Sequence, residues 1–139
     1  MRVTLTSEGG SPSWFTLWLP VIAYMAMLFG FSSLSTLPPP PGQISYYEVH
    51  VAAYAVLGLL TARALAKGRA RNVTWGVVWG AIAISSLYGV TDEYHQRFVP
   101  GREFDLIDMI SDAIGSVIGA FAVGAWSIIR RRSETRDVL

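Results

Sequence analysis

A polar run near the middle of the chain contains most of the side chains that could do chemistry. Residues 91–112 read TDEYHQRFVPGREFDLIDMISD and include six carboxylates, two arginines, a histidine and a glutamine. The segments on both sides of this run are strongly apolar. Charged groups at the edge of a bilayer, or inside it, are costly unless they have partners. We therefore expect this run to form a polar site and not merely a solvated loop.

Helical spacing predicts which of these side chains lie together. Asp105, Asp108 and Asp112 are three and four residues apart, so they share one face of a helix. His50 interrupts an earlier apolar segment, at a position where a packing residue would be alanine or leucine. We expect three helices to bring the polar residues to one mouth; the set is His50, Asp92, Glu93, Gln96, Arg102, Asp108 and Asp112.

These residue types are suited to binding an anion. The guanidinium of Arg102, and in second place that of Arg97, offers a planar fork of donors for phosphate or carboxylate groups. Asp108 and Asp112 are then expected to hold the arginines, or His50, in place. A simpler interpretation is also open for the two arginines, in which they only neutralise nearby carboxylates as exposed ion pairs of small energetic value.

The same residues also allow an enzyme. His50 and Glu93 are the candidates for a catalytic general base, and His50 with Asp92, Glu93 or Asp112 is a candidate ligand set for a metal ion. The sequence contains no zinc-protease, phosphatase or nucleophilic-serine signature, and it requires no cofactor. A third interpretation is a structural or partner-binding bundle, in which the buried polar groups fix the register of the helices.

The composition places these residues in a membrane protein. Of the 139 residues, 52% are hydrophobic and 15% are charged, against roughly 45–50% and about 25% in soluble domains. Four apolar segments are long enough to cross a bilayer. In the fourth, Ser111, Gly115 and Gly119 recur every four residues and form a stripe that lets another helix approach closely. We therefore predict an all-α compact bundle of four transmembrane helices, over residues 14–36, 46–66, 73–91 and 106–129. A cleaved signal peptide is the alternative for the first segment, but its apolar run is longer than that of a typical leader.

The remaining segments complete one domain over residues 14–130. Residues 1–13 are predicted to be a disordered tail, and residues 131–139 a second short tail. The four consecutive prolines between the first two spans exclude a helix there and predict a stiff connector. The absence of cysteine excludes disulfides and thiolate chemistry.

The distribution of basic residues predicts the orientation. Nine of the eleven lysine and arginine residues lie at the termini or in the loop between the second and third spans. By the positive-inside rule both termini are cytoplasmic, and the polar loop after the third span faces outward. We predict a bacterial plasma-membrane protein whose partner is the lipid bilayer, with no nucleic-acid partner. Whether it forms an oligomer is left open.

The spans and the polar run together resemble the VanZ-like family of small integral membrane proteins. The family pattern is Asp-Glu, Gln, an aromatic residue, Pro and Gly-Arg, then Asp, Asn and Gly at helical spacing. It matches Asp92, Glu93, Gln96, Phe98, Pro100, Gly101, Arg102, Asp108, Asp112 and Gly115. The chain departs from the pattern at Asp112, where the family usually has Asn, and at Tyr46 and Tyr47, where Asp-Lys is common.

The resemblance implies a role in the bacterial cell envelope. The founding member of the family is linked to resistance to the glycopeptide antibiotic teicoplanin, so a link to such resistance is an expectation here. Residues and resemblance together predict an outward-facing pocket that binds a polar or anionic envelope molecule, such as the headgroup of a lipid-linked or cell-wall precursor. The rival prediction is acid–base or metal-assisted hydrolysis or group transfer in the same pocket.

Overall fold

Four α-helices make up most of the chain. The structure, a computed structural model, describes residues 12–136. Its helices are α1 (Trp14–Ser32), α2 (Tyr46–Leu65), α3 (Trp75–Gln96) and α4 (Leu106–Arg136), with a short 3₁₀ turn at Ala70–Asn72. No strand occurs in the described residues. The predicted all-helical fold is confirmed, whereas the tail predicted for residues 1–13 lies almost wholly outside the described range.

Local side-chain chemistry determines where the helices begin. Ser13 and Thr74 accept hydrogen bonds from backbone N–H groups in the first turns of α1 and α3. Ser45 starts α2 with a capping box, in which Oε2 of Glu48 accepts from the Ser45 backbone N–H at 2.7 Å. Such caps satisfy backbone donors that have no partner within the helix.

Glycine allows α2 and α4 to pack backbone against backbone. A Cβ atom at Gly119 would overlap the carbonyl oxygen of Ala55, and one at Gly115 would overlap that of Val51. On the other helix, a Cβ atom at Gly58 would lie 2.5 Å from the carbonyl oxygen of Ser116. Small residues permit such close approach in membrane helices. The predicted stripe of small residues on the fourth helix therefore faces protein, as expected.

The contacts that α1 and α3 make with the α2–α4 pair leave one side of the bundle open. α3 packs against both α2 and α4, and α1 packs against α2 and, over a shorter length, α3. In the part of the chain that the structure describes, no Cα atom of α1 comes within 8 Å of α4. The α2–α4 pair is thus the centre of the fold, and α1 is its outermost element.

The polarity of the bundle is that of a membrane protein. The buried residues include Ser85, Asp92, Glu93, Gln96 and Asp112, whereas large apolar residues such as phenylalanine, leucine and isoleucine are exposed along the helices. A soluble protein seldom exposes so much contiguous apolar surface. Lipid tails would cover these side chains, and the interior retains the polar groups.

Three of the four helices are long and apolar enough to cross a membrane. They are Trp14–Ser32, Tyr46–Leu65 and Leu106–Ser133. α1 ends at Ser32, four residues before the predicted end of the first span, because the chain then enters the proline-rich loop. The predicted span over residues 73–91 begins two residues before α3 and otherwise lies in this helix, which has 22 residues and carries charge in its last turns.

Candidate functional site

The polar residues converge where two helices begin and a third ends. Asp92, Glu93 and Gln96 lie in the last turns of α3. His50 lies in the second turn of α2, and Asp108 and Asp112 lie in the first two turns of α4. Because α2 and α4 pack side by side against α3, these side chains form one group, which we call the polar cluster: His50, Asp92, Glu93, Gln96, Arg102, Asp108 and Asp112.

His50 is the centre of the polar cluster. Its Nδ1 atom lies 2.8 Å from Oδ1 of Asp112, and its Nε2 atom lies 3.5 Å from Oδ2 of Asp108. The Asp112 side chain is only 1% exposed, against 15% for His50 and 14% for Asp108. Of the roles expected for the two aspartates, the structure shows contact with His50. Within residues 12–136, no ion pair joins either aspartate to Arg97 or Arg102.

Glu93 is completely buried beside this pair. Its Oε2 atom accepts a hydrogen bond from the backbone N–H of Asp105 at 3.0 Å, which ties the start of α4 to the end of α3. One possible ligand atom from each of His50, Glu93 and Asp108 lies within 4.8 Å of the other two. Among the described residues, these three, without Asp92 or Asp112, meet the spacing that a metal ion requires.

Three carboxylate oxygens of the polar cluster have no hydrogen-bond partner among the described residues. They are Oε1 of Glu93, Oδ1 of Asp108 and Oδ2 of Asp112. Buried polar groups are normally satisfied, because leaving one unpaired costs free energy. Within residues 12–136, the only ion pairs made by Asp92, Glu93, Asp108 or Asp112 involve His50. The site therefore has an excess of negative groups.

A glycine on α3, Gly89, makes room for Asp112. A Cβ atom at Gly89 would lie 2.7 Å from Oδ2 of Asp112 and 2.9 Å from its Cβ atom. Real Cβ contacts are longer, so any larger residue at position 89 would displace the carboxylate. Gly89 thus determines where Asp112, and through it His50, is held.

Asp92 connects the polar cluster to α1. The hydroxyl of Ser32, the last residue of α1, donates a hydrogen bond of 2.7 Å to Oδ1 of Asp92. Both residues are buried. The contact fixes the end of α1 against α3, which gives Asp92 a positioning role distinct from the metal ligation considered for it from sequence.

Arg102 returns to the bundle through a tight turn after α3. Gly101 has a φ of 80°, a left-handed conformation that suits glycine. The Nε and Nη2 atoms of Arg102 both donate to Oε1 of Gln96, at 3.2 and 2.7 Å. Among the described residues, Arg102 forms no ion pair with a carboxylate. Its guanidinium therefore has donors left for a ligand.

Arg97 is not brought into the polar cluster. It caps the end of α3, is exposed, and lies over the ring of Tyr94 at 5.6 Å from the ring centroid. His95 also lies elsewhere, packed on the ring of Phe29 with Nε2 3.1 Å from the Ser33 hydroxyl. Of the residues predicted for the site, Arg97 is the one that the structure places apart.

Two cavities meet at the polar cluster. The first, of about 380 Å³, lies between α1, the proline-rich loop and the start of α2. The second, of about 660 Å³, lies between the proline-rich loop and the α3–α4 loop. His50, Gln96 and Arg102 line both. These volumes are within the usual range of ligand sites, roughly 300–1,000 Å³.

The two cavities differ in their walls. The body of the first is apolar and includes Tyr24, Met27, Leu28 and Phe31 of α1. Met27 and Phe31 are also exposed, so this cavity opens on the apolar surface of the bundle. The walls of the second cavity are more polar: Ser35, Ser45, Glu103, Asp105 and Asp108.

Sequence reasoning missed several residues that shape the site. Gly89 shares a helix face with Asp92 by its spacing, but nothing in the sequence connects it to Asp112. Ser32 looked like an ordinary small residue of an apolar helix, and nothing in the sequence connects it to Asp92. The proline-rich loop is more than the stiff connector that its sequence predicts, because Pro38–Pro41 line the first cavity. The sequence offered one signal for this role: a stiff loop between the first two helices must lie over the gap that those helices leave open.

Comparison with known proteins identifies the family. The VanZ/LLP1 family profile matches residues 27–129, which begin in the last turns of α1 and include every residue of the polar cluster. No curated protein and no solved structure matched the chain. The match covers most of the chain and agrees with the pattern of polar residues on apolar helices, so the protein belongs to the VanZ-like family of membrane proteins.

Proposed function

We propose that this protein binds an anionic amphiphile of the bacterial cell envelope, with the headgroup at Arg102 and the apolar chain in the first cavity. The observation that carries the proposal is the position of Arg102, Gln96 and His50. These residues line both an apolar cavity that opens on the lipid-facing surface and a polar cavity at the helix ends. A molecule with a charged head and an apolar tail fits that boundary.

The orientation of the bundle is part of the proposal. α3 would be the fourth span, since 22 residues extend about 33 Å at 1.5 Å per residue, and it lies against two apolar helices. The positive-inside rule then places both termini in the cytoplasm and the polar cluster on the outer side of the plasma membrane. A lipid-linked or cell-wall precursor is exposed on that side.

The chemistry of Arg102 suits a phosphate or carboxylate headgroup. Two N–H groups on one edge of the guanidinium donate to Gln96. The remaining N–H donors of Arg102 are left for the ligand. Charge-assisted hydrogen bonds of this kind are about twice as strong as neutral ones. His50 and the polar second cavity provide further contacts for a headgroup larger than a single phosphate.

Binding of a polyprenyl monophosphate by the purified, detergent-solubilised protein tests this proposal. We expect the wild type to bind it in preference to the uncharged polyprenol of the same length. Arg102→Ala should weaken binding by about 10- to 100-fold, because hydrogen bonds to a charged group contribute about 1.5–3 kcal/mol. The measurement is a titration monitored by intrinsic tryptophan fluorescence or by native mass spectrometry.

Arg97→Ala is the matched control, since Arg97 is exposed and apart from the cavities. It should bind like the wild type. Equal binding of phosphate and alcohol, or normal binding by a folded Arg102→Ala protein, would refute the proposal. The link to glycopeptide resistance stays a prediction from the family, tested by teicoplanin susceptibility of cells with and without the protein.

A further inference from the structure

We propose that His50, Glu93 and Asp108 bind one divalent transition-metal ion. One ligand atom of each residue lies within 4.8 Å of the others. Two ligands of one ion, with bonds of roughly 2.0–2.2 Å, lie no more than about 4.4 Å apart. A small inward movement of the side chains would therefore complete the site.

The hydrogen bond on the other side of the imidazole supports this assignment. Oδ1 of Asp112 lies 2.8 Å from Nδ1 of His50. When Asp112 is ionised it can only accept, so the proton of a neutral His50 is then on Nδ1. In that tautomer Nε2 carries a lone pair and lies 3.5 Å from Oδ2 of Asp108. A lone pair that close to a carboxylate oxygen is repelled unless a cation or a proton lies between them. Metal-binding histidines commonly have this arrangement, with a carboxylate on the second nitrogen.

An independent observation is the unpartnered oxygen of Glu93. The Glu93 side chain is fully buried, and its Oε1 atom has no partner within residues 12–136. Oδ1 of Asp108 is also without one in that range. A cation bound by these two carboxylates would supply the interaction that the described residues do not.

The charges of the ligand set indicate the class of ion. Two carboxylates and a neutral imidazole balance a divalent cation, so the complex adds no net charge to a buried site. Imidazole suits zinc, iron, copper and nickel, whereas carboxylates suit manganese and magnesium. A mixed set of one nitrogen and two oxygen ligands therefore favours Zn²⁺, Mn²⁺ or Fe²⁺ over Mg²⁺ or Ca²⁺. The rival account is a protonated His50 that forms two ion pairs and binds no metal.

The proposed cation site does not depend on the proposed amphiphile. Arg102, the anchor for the headgroup, is not a metal ligand, and among the described residues none of the three ligands accepts a hydrogen bond from its guanidinium. The two proposals can therefore fail separately. If both hold, the ion lies beside the second cavity, which Asp108 and His50 line, and it adds a positive charge next to the headgroup.

The test is metal binding by the full-length protein in detergent. After removal of metal with a chelator, the protein is titrated with Zn²⁺ and with Mn²⁺, and bound metal is measured by mass spectrometry of the element. We expect one ion per chain for the wild type. His50→Ala, Glu93→Gln and Asp108→Asn should each weaken binding at least 10-fold. Asp112→Asn should weaken it about 10-fold and not abolish it, because it changes only the partner of Nδ1.

Control variants separate a metal site from a general effect on folding. His95→Ala and Glu103→Gln remove a histidine and a carboxylate outside the ligand set and should bind one ion with wild-type affinity. Arg102→Ala should also retain the ion while losing the polyprenyl phosphate. Circular dichroism and gel filtration confirm the fold, and the isosteric Glu93→Gln and Asp108→Asn variants remain informative if His50→Ala does not fold.

Binding of Co²⁺ provides a spectroscopic readout, since ligand-field bands report nitrogen and oxygen ligands. We expect bands that are lost in Asp108→Asn and kept in Glu103→Gln. The proposal is overturned if the wild type binds less than a tenth of an equivalent of every ion tested, or if His95→Ala reduces binding as much as His50→Ala. It is equally overturned if folded Glu93→Gln and Asp108→Asn proteins bind metal like the wild type.

Discussion

The partners of the buried carboxylates differ in how far the sequence reveals them. Asp112 interrupts an apolar helix, and this alone predicts that it needs a partner, which the structure shows to be His50. Gly89 and Ser32 could not be predicted. Their contacts with Asp112 and Asp92 depend on the rotation and depth of one helix against another. Periodicity gives the face of a helix, but not its register against its neighbours.

Arg97 shows the same limit for a residue that the sequence placed in the site and the structure places apart from it. It is only five residues before Arg102, and its type suits an anion equally well. The difference arises from the end of α3, where Arg97 still follows the helix and points away, whereas the turn at Gly101 redirects Arg102. The sequence does not give helix ends accurately enough to distinguish the two arginines.

The hydrogen bond between Ser32 and Asp92 yields a prediction about stability. Ser32→Ala should destabilise the protein by about 1–3 kcal/mol, because Oδ1 of the buried Asp92 then loses the hydrogen bond that the Ser32 hydroxyl donates. Thermal or denaturant unfolding in detergent measures the change. Ser35→Ala, at an exposed position three residues later, should have little effect. Equal stability of both variants would show that the contact contributes nothing.

At the scale of the helices, most of the architecture followed from the sequence. The apolar segments predicted four helices, and the spacing of Ser111, Gly115 and Gly119 predicted a face for close packing. The structure adds the identity of the partner, which is α2, through the Val51 and Ala55 carbonyls. Sequence alone does not identify that partner, because small residues would permit close approach to any neighbouring helix.

Close packing of α2 and α4 gives a second prediction. Gly119→Ala should destabilise the protein by about 1–3 kcal/mol, because the added methyl group meets the rigid backbone of Ala55. Gly124→Ala is the control on the same helix, since a Cβ atom there would have an ordinary contact of 3.6 Å with a Val78 methyl group. It should be neutral or stabilising by up to about 1 kcal/mol. The two unfolding curves should therefore shift differently.

A similar loss of stability in both variants would contradict this explanation. It would indicate that α4 tolerates no added methyl group anywhere, for reasons unrelated to its distance from α2.

At the scale of the whole molecule, the clearest agreement between sequence and structure is the polarity of the bundle, which buries polar side chains and exposes apolar ones. Composition and segment length predict a membrane protein, and three helices meet the criteria for spans. α3 is the exception because its last turns carry Asp92, Glu93 and Gln96, the residues that form the polar cluster. The cavities were beyond prediction, since their shape depends on how the proline-rich loop lies across α1 and α2.

Cysteine labelling tests the proposed orientation directly, because the natural chain contains no cysteine. Glu103→Cys, in the α3–α4 loop, should react with a membrane-impermeant maleimide in intact cells. Arg71→Cys, between α2 and α3, should react only after permeabilisation. Both positions are exposed, so access to the thiol depends on the side of the membrane. The opposite labelling pattern would place the polar cluster on the cytoplasmic side.

The open side of the bundle has a consequence for how a bulky molecule would enter. α1 provides one wall of the first cavity, yet among the described helices it packs only against α2 and α3 and is separated from α4. Partial displacement of a helix with so few neighbours disturbs less of the fold than displacement of α2 or α4, so it requires less free energy than global unfolding. Movement of α1 away from α2 would open the first cavity toward the lipid, and it would first have to break the hydrogen bond from Ser32 to Asp92.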